Sequence, residues 1–120
     1  MIIGIGADIA KIARIKKACE KTGFMEKYFT DSEREFLKKK PAESAAGNFC
    51  VKEAAAKALG CGFNGVSPRE IEVLRNESGA PVVNLYGNAS ETAGRIGVKK
   101  IHASMTHDGD YAAAFVVLED

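Results

Sequence analysis

Between Asn48 and Gly62 the chain reads NFCVKEAAAKALGCG. The run is rich in alanine, the strongest helix former, and it closes on a Gly-x-Gly stop. On a helical wheel at about 100° per residue, Phe49, Lys52, Glu53 and Lys57 share one sector of roughly 140°. Cys50, Val51, Ala54, Ala55, Ala58 and Leu59 take the rest. A helix that is apolar over more than half its circumference must be covered by other elements, and its alanines let those elements approach the backbone closely. The remainder of the chain has to supply that cover.

The flanking segments can do so. Met1 to Ala7 alternates, is β-branched and predicts a strand. Ile9, Ile12, Ile15 and Cys19 recur at helical spacing, which predicts a helix from Ile9 to about Glu20, ended by Thr22 and Gly23. Phe24 to Phe29 is a short aromatic-rich segment. Thr30 and Glu33 form a capping box, so a further helix runs through Phe36 and Leu37 and closes at Pro41. The long helix spans Ser44 to Leu59, with Gly60 as its stop. From Ile71 the period changes to two. Ile71 and Val73, then Val82, Val83 and Leu85, flank Asn76-Glu77-Ser78-Gly79 as a hairpin. Ala89 to Ile96 reads as a helix. Val98 to Met105 and Tyr111 to Leu118 form a last hairpin across His107-Asp108-Gly109-Asp110. The order predicts an α+β fold, a largely antiparallel sheet packed with a long central helix. The length of 120 residues favours one domain, 1–120.

Composition narrows the function classes. Hydrophobic residues make up 46% and charged residues 28%, as in an ordinary globular protein. No window approaches the ~18 apolar residues of a membrane span. MIIGIGADIA has no basic stretch before its apolar run and does not read as a signal peptide, so a cytoplasmic protein is expected. Cys19, Cys50 and Cys61 are odd in number and far apart, which suits reduced, mostly buried thiols and not a zinc site. The net charge of +1 advertises no nucleic-acid partner. Aromatics are 8% and do not interleave with the basic residues, a poor fit to single-strand stacking. Charge is nevertheless uneven: Lys11, Arg14, Lys16, Lys17 and Lys21 stand close together against Glu20 alone, a cluster able to meet an acidic surface.

Three stretches offer chemistry. Lys52, Glu53 and Lys57 either form a solvated strip or face a cleft. As a strip, the Glu53–Lys57 pair is worth only about 0.2–0.5 kcal/mol. As a cleft, one carboxylate between two ammonium groups suits a phosphate and its metal, because Mg²⁺ takes one or two carboxylates and keeps other positions for water and phosphate oxygens. Asp8, at the end of the first strand in GIGADI, is the candidate second carboxylate, or else the N-cap of the following helix. The Gly4-x-Gly6 before it lacks the third glycine of a dinucleotide fingerprint. His107 sits at the tip of the predicted last hairpin, where Asp108 and Asp110 are ordinary turn residues. His102 lies within a strand and receives no role.

Taken together, GIGADI, FCVKEAAAKA and SMTHDGDYAAA, in this order and with FTDSEREF and YAAAFVVLE, closely resemble the bacterial holo-acyl-carrier-protein synthases, the small 4′-phosphopantetheinyl transferases. The likeness spans essentially the whole chain, and the Phe-led K-E-x-x-x-K is its most specific part. That resemblance implies a Mg²⁺-dependent enzyme. It would move the phosphopantetheine arm of coenzyme A onto a serine of an apo acyl carrier protein for fatty acid biosynthesis, releasing adenosine 3′,5′-bisphosphate. It implies that Asp8 and Glu53 hold the metal, that Lys57 contacts phosphate in catalysis, and that His107 lies against the coenzyme. It further implies a homotrimer with coenzyme A between subunits, so that Glu53 and Lys57 line an interface cleft. The basic first helix would dock the acidic carrier through Arg14, Lys17 and Lys21.

The resemblance is not complete. Relatives often carry Arg where Asn48 stands. If that Arg serves a phosphate, this chain either binds coenzyme A more weakly or uses another cation, for which Lys52 is a candidate. Gly23 stands near a position that is often basic, which shifts the carrier surface toward Lys16 and Lys17. The Leu37–Gly47 connection is short. The alternatives are a module that binds an acidic partner without chemistry, and a transferase with a different carrier as acceptor.

Overall fold

The structure is a computed structural model and describes residues 1–120. Strand β1 (Ile2–Lys11) leads into α1 (Ile12–Cys19), α2 (Phe24–Tyr28), α3 (Asp31–Leu37) and the long α4 (Ala42–Ala58). A 3₁₀ turn at Pro68–Glu70 precedes the hairpin β2 (Ile71–Arg75) and β3 (Pro81–Leu85), then α5 (Gly87–Ile96) and the hairpin β4 (Lys100–Asp108) and β5 (Tyr111–Glu119). β1, β5 and β4 form one sheet in that order, and β2 with β3 forms another; every pairing is antiparallel. This is the predicted α+β arrangement, with the antiparallel strands divided between two sheets. No helix is long and apolar enough to cross a membrane.

α4 lies across the larger sheet on a diagonal. Gly47 faces Met105 of β4, and the Cys50 thiol reaches the Ala112 carbonyl of β5 at 3.5 Å. Ala54 and Ala58 rest on Gly6 and Gly4 of β1. Beneath the helix the sheet is buried in alternation, at Ala112, Ala114, Val116 and Leu118, as a half-covered sheet should be. A buried methyl contributes about 0.8 kcal/mol against 1.5–3 for a whole Val or Leu, so this contact depends on closeness more than on bulk. The glycines provide the closeness. A Cβ on Gly6 would overlap the Ala54 carbonyl oxygen, and one on Gly4 would overlap that of Ala58. Gly4-x-Gly6 is thus a seat for a helix, not a nucleotide loop.

The two ends of the large sheet depart from the sequence reading for one reason. β5 pairs with β1 along its length, to Lys11 opposite Tyr111. That ladder holds the chain extended past Ala7, so α1 begins at Ile12 and not at Ile9. Asp8 therefore sits inside β1 opposite Ala114 and caps no helix; the N-cap of α1 is Lys11, without a side-chain bond. Likewise β4 continues through His107 and Asp108, and the turn is only Gly109-Asp110, with Gly109 at φ 60°. A two-residue hairpin turn with glycine first fits the strand twist. His107 is hence a strand residue and not a hairpin tip. The Thr30–Glu33 capping box forms as read, with both reciprocal bonds present.

The seat predicts an asymmetric tolerance. Gly6→Ala should lower unfolding stability by about 1–3 kcal/mol or more through overpacking against backbone that cannot yield. Ala13→Ser, on an exposed position of α1, should change it by less than about 0.5 kcal/mol. Urea unfolding of the two variants decides this, and equal midpoints would contradict the seat.

Candidate functional site

The diagonal brings the last two turns of α4 over the free edge of the large sheet. Lys57 reaches past β1, donates to the Ala7 carbonyl at 3.0 Å and faces Asp8 Oδ1 at 3.4 Å. Asp8 is mostly covered at 17% side-chain exposure, whereas Lys57 keeps 53%. An ion pair this open is worth about 0–1 kcal/mol, so the ammonium can turn to a stronger anion at little cost. One turn earlier, Glu53 Oε1 accepts a hydrogen bond from the Tyr28 hydroxyl at 2.9 Å. Asp8 and Lys57, from two elements far apart in sequence, thus stand side by side, and Glu53 lies near enough that both carboxylates act on Tyr28 and Cys50. A hollow of about 340 Å³ beside Lys57 is lined by Ala7, Asp8, Ile9, Ala113 and Phe115.

Neighbouring groups feel both carboxylates. The Tyr28 phenol is pushed far above its ordinary range, first by burial, then by the Glu53 charge and hydrogen bond, then by Asp8, with Arg14 opposing. The Cys50 thiol is pushed up to about 12, first by burial and then by Asp8. Both therefore stay protonated at neutral pH, and neither offers a soft thiolate ligand. What remains is a pair of hard carboxylate donors. Nowhere do three or more His, Cys, Asp or Glu gather as a metal cage. A two-carboxylate set fits Mg²⁺ completed by water and phosphate oxygens.

The other expected residues lie apart. Arg14 is exposed on α1, its guanidinium 5.5 Å from the Phe49 ring centroid and so beside the cleft. Lys17, one turn on, and Lys21, after the helix, are exposed, while Ile12 and Ile15 are buried on the opposite side. His107 is exposed on β4, opposite Ala112, with β5 between it and β1. Within one chain it does not meet Asp8, Glu53 or Lys57. Gly23 has φ 84° and opens α2, so glycine there answers a backbone need that a basic side chain would strain. Tyr28 has no role in the reading from sequence; its only signal there is the Phe24–Tyr28 spacing of four in an aromatic segment.

Comparison with known proteins adds to this geometry. Residues 4–116 match the family model described as the 4′-phosphopantetheinyl transferase superfamily. A holo-[acyl-carrier-protein] synthase of Lachnoclostridium phytofermentans is 45% identical over 119 residues, covering 99% of this chain and 97% of the relative. The crystal structure of the holo-[acyl-carrier-protein] synthase from Neisseria meningitidis superposes with a TM-score of 0.90 at 34% identity over 100% of both chains. That of Helicobacter pylori, in complex with coenzyme A, gives 0.85 at 35% identity, covering 96% of this chain and 99% of that one.

Lys52 is a correction. It neither lies in a solvated strip nor faces the cleft: it is fully buried on the other side of α4. Its ammonium donates to Glu33 Oε1 at 2.6 Å, to the Pro68 carbonyl at 2.9 Å and to the Ile71 carbonyl. All three N–H groups are used, so none is left for a phosphate. Burial pulls this ammonium below the ordinary lysine range, and Glu33 opposes that pull. Glu33 also accepts from Asn48 Nδ2 at 3.3 Å and from the Val73 N–H at 3.2 Å. Asn48 in turn accepts from Arg75 Nη2 at 2.7 Å, so it too belongs to the interior. Lys52→Met should cost about 3–5 kcal/mol in urea unfolding, because Glu33 stays buried without its cation. Adding Glu33→Gln should recover part of that loss, because it removes the unpaired charge and keeps an acceptor for the Val73 N–H. Undiminished stability together with weakened phosphate-ligand binding would reverse the assignment.

Proposed function

This chain belongs to the 4′-phosphopantetheinyl transferase superfamily, and from that premise we propose that it is a holo-acyl-carrier-protein synthase. It moves the 4′-phosphopantetheine group of coenzyme A onto a serine of an apo acyl carrier protein, in the cytoplasm and in the service of fatty acid biosynthesis. The observation that supports this best is Lys57 set against Asp8, with Glu53 close enough that both carboxylates act on Tyr28 and Cys50.

The chain's own groups divide the work. The carrier's serine oxygen attacks the phosphorus that bears the pantetheine arm. The P–O bond to the nucleotide half breaks, and adenosine 3′,5′-bisphosphate leaves with the electron pair. Charge builds on the bridging and equatorial oxygens, so catalysis is mostly positioning and electrostatics. Lys57, half exposed and weakly paired, turns its ammonium to those oxygens. Asp8 and Glu53 would hold Mg²⁺, which supplies further neutralisation of pyrophosphate charge when bound. Tyr28 and Cys50 are held protonated and cannot accept the serine proton; Glu53 or a water is the candidate base. The exposed cations Arg14, Lys17 and Lys21 would steer the acidic carrier, acting mainly on association rate and weakening with salt.

The site is completed by assembly. Ile5, Ile9 and Phe115 are 70%, 64% and 58% exposed on the outer face of the large sheet, a contiguous apolar patch of the kind that marks an interface. The hollow beside Lys57 shares Ile9 and Phe115 with that patch, so a second copy seated there would border the cleft. His107, remote within its own chain, would reach the coenzyme from that copy. By its resemblance to the family, the assembly is a homotrimer.

Intact-mass spectrometry of apo acyl carrier protein with coenzyme A and Mg²⁺ should show a gain of one phosphopantetheine that EDTA abolishes. Glu53→Gln or Asp8→Asn should each reduce kcat by at least about 100-fold, more than the loss of an outer-shell partner usually costs, while the protein stays folded. Normal turnover by either variant would sink the metal assignment. Sedimentation should give three times the chain mass, and Phe115→Glu should give single copies without activity. A fully active monomer would rule out the shared site.

A further inference from the structure

α2 contributes one polar group to the cleft, the Tyr28 hydroxyl that donates to Glu53 Oε1 at 2.9 Å. Aromatic rings fix where that hydroxyl can be. Phe24 stacks on Tyr28 with centroids 5.1 Å apart and planes 14° from parallel. Phe49 stacks on it at 5.2 Å and 19°. Phe63 presents an edge at 6.1 Å and 80°. Phe29 packs at 5.7 Å and 57°, and a tyrosine, with few rotatable bonds, has little freedom left against four rings. Glu53 is a longer, flexible side chain, and its other oxygen, Oε2, has no hydrogen-bond partner in the chain. A donor held this firmly can select one orientation of a carboxylate that would otherwise sample several.

The geometry points to Tyr28 as a positioning residue: by holding Oε1 it fixes the Glu53 carboxylate and leaves Oε2 free to bind the metal. This rests on the reading above that Glu53 is a metal ligand. Arg14, its guanidinium 5.5 Å from the Phe49 ring centroid, places the basic helix α1 against the same support. The aromatic cluster thus joins the carrier surface to the metal carboxylate through packed rings.

The test compares wild type, Tyr28→Phe, Glu53→Gln and the double variant, with Mn²⁺ as the probe. Mn²⁺ binding in the presence of coenzyme A is read by electron paramagnetic resonance, independently of turnover. Tyr28→Phe should keep the melting temperature within a few degrees and weaken Mn²⁺ binding about tenfold, as removing a partner of a metal ligand typically does. The metal concentration for half-maximal activity should rise by the same factor, with the KM for carrier unchanged. The double variant should bind Mn²⁺ no more weakly than Glu53→Gln alone, because Tyr28 acts only through Glu53. Unchanged Mn²⁺ affinity in a folded Tyr28→Phe overturns the inference and leaves the transferase reading standing. Additive losses in the double variant overturn it as well. A wild type that takes up no Mn²⁺ with coenzyme A overturns the metal reading itself, and the inference with it.

Discussion

The contact on which the rest depends is that between α4 and β1, where two backbones meet with no side chain between them. Ala54 over Gly6 and Ala58 over Gly4 set the height and the angle of the helix. That angle carries the C-terminal turns of α4 to the sheet edge, where Lys57 can bond the Ala7 carbonyl and face Asp8. A bulkier residue at either glycine would lift the helix and draw Lys57 away from β1. The chemistry of the cleft is thus a consequence of packing at positions that carry no chemistry.

Adjacent residues on α4 meet opposite conditions. Lys52 points into the interior and Glu53 into the cleft, one helical step apart. The interior half is a closed polar network in which every Lys52 N–H has an acceptor. Such a network is expensive to break and gains little by existing, so its value is in specifying how α4, α3 and β2 sit together. The cleft half is left unfinished: a half-exposed ammonium with a weak partner, and a carboxylate oxygen with none. One segment therefore serves both as an anchor and as an open polar surface.

Much of this is legible in the sequence. The alanine-rich run demands cover and receives it, the Thr30–Glu33 box closes as written, and the antiparallel hairpins fall where turn residues and alternation put them. Asp8 reads wrongly as the end of a strand because nothing local marks how far the pairing with β5 extends; the ladder, a contact more than a hundred residues away, decides it. Lys52 reads wrongly because a wheel orders residues by angle alone. It cannot see that a buried carboxylate from α3 waits on that side, and Glu33 looks, in sequence, like only half of a capping box. The Tyr28–Glu53 bond joins positions 25 apart and has no local signature beyond an aromatic pair.

α2 is five residues long, and none of them is fully buried. Its hold on the fold is through rings: Tyr28 packs on Phe24, Phe29, Phe49 and Phe63. Asp8 and Lys57 stand on β1 and α4, and the aromatic support of Glu53 stands on α2. One side of the site is thus laid down by a backbone ladder and the other by ring against ring.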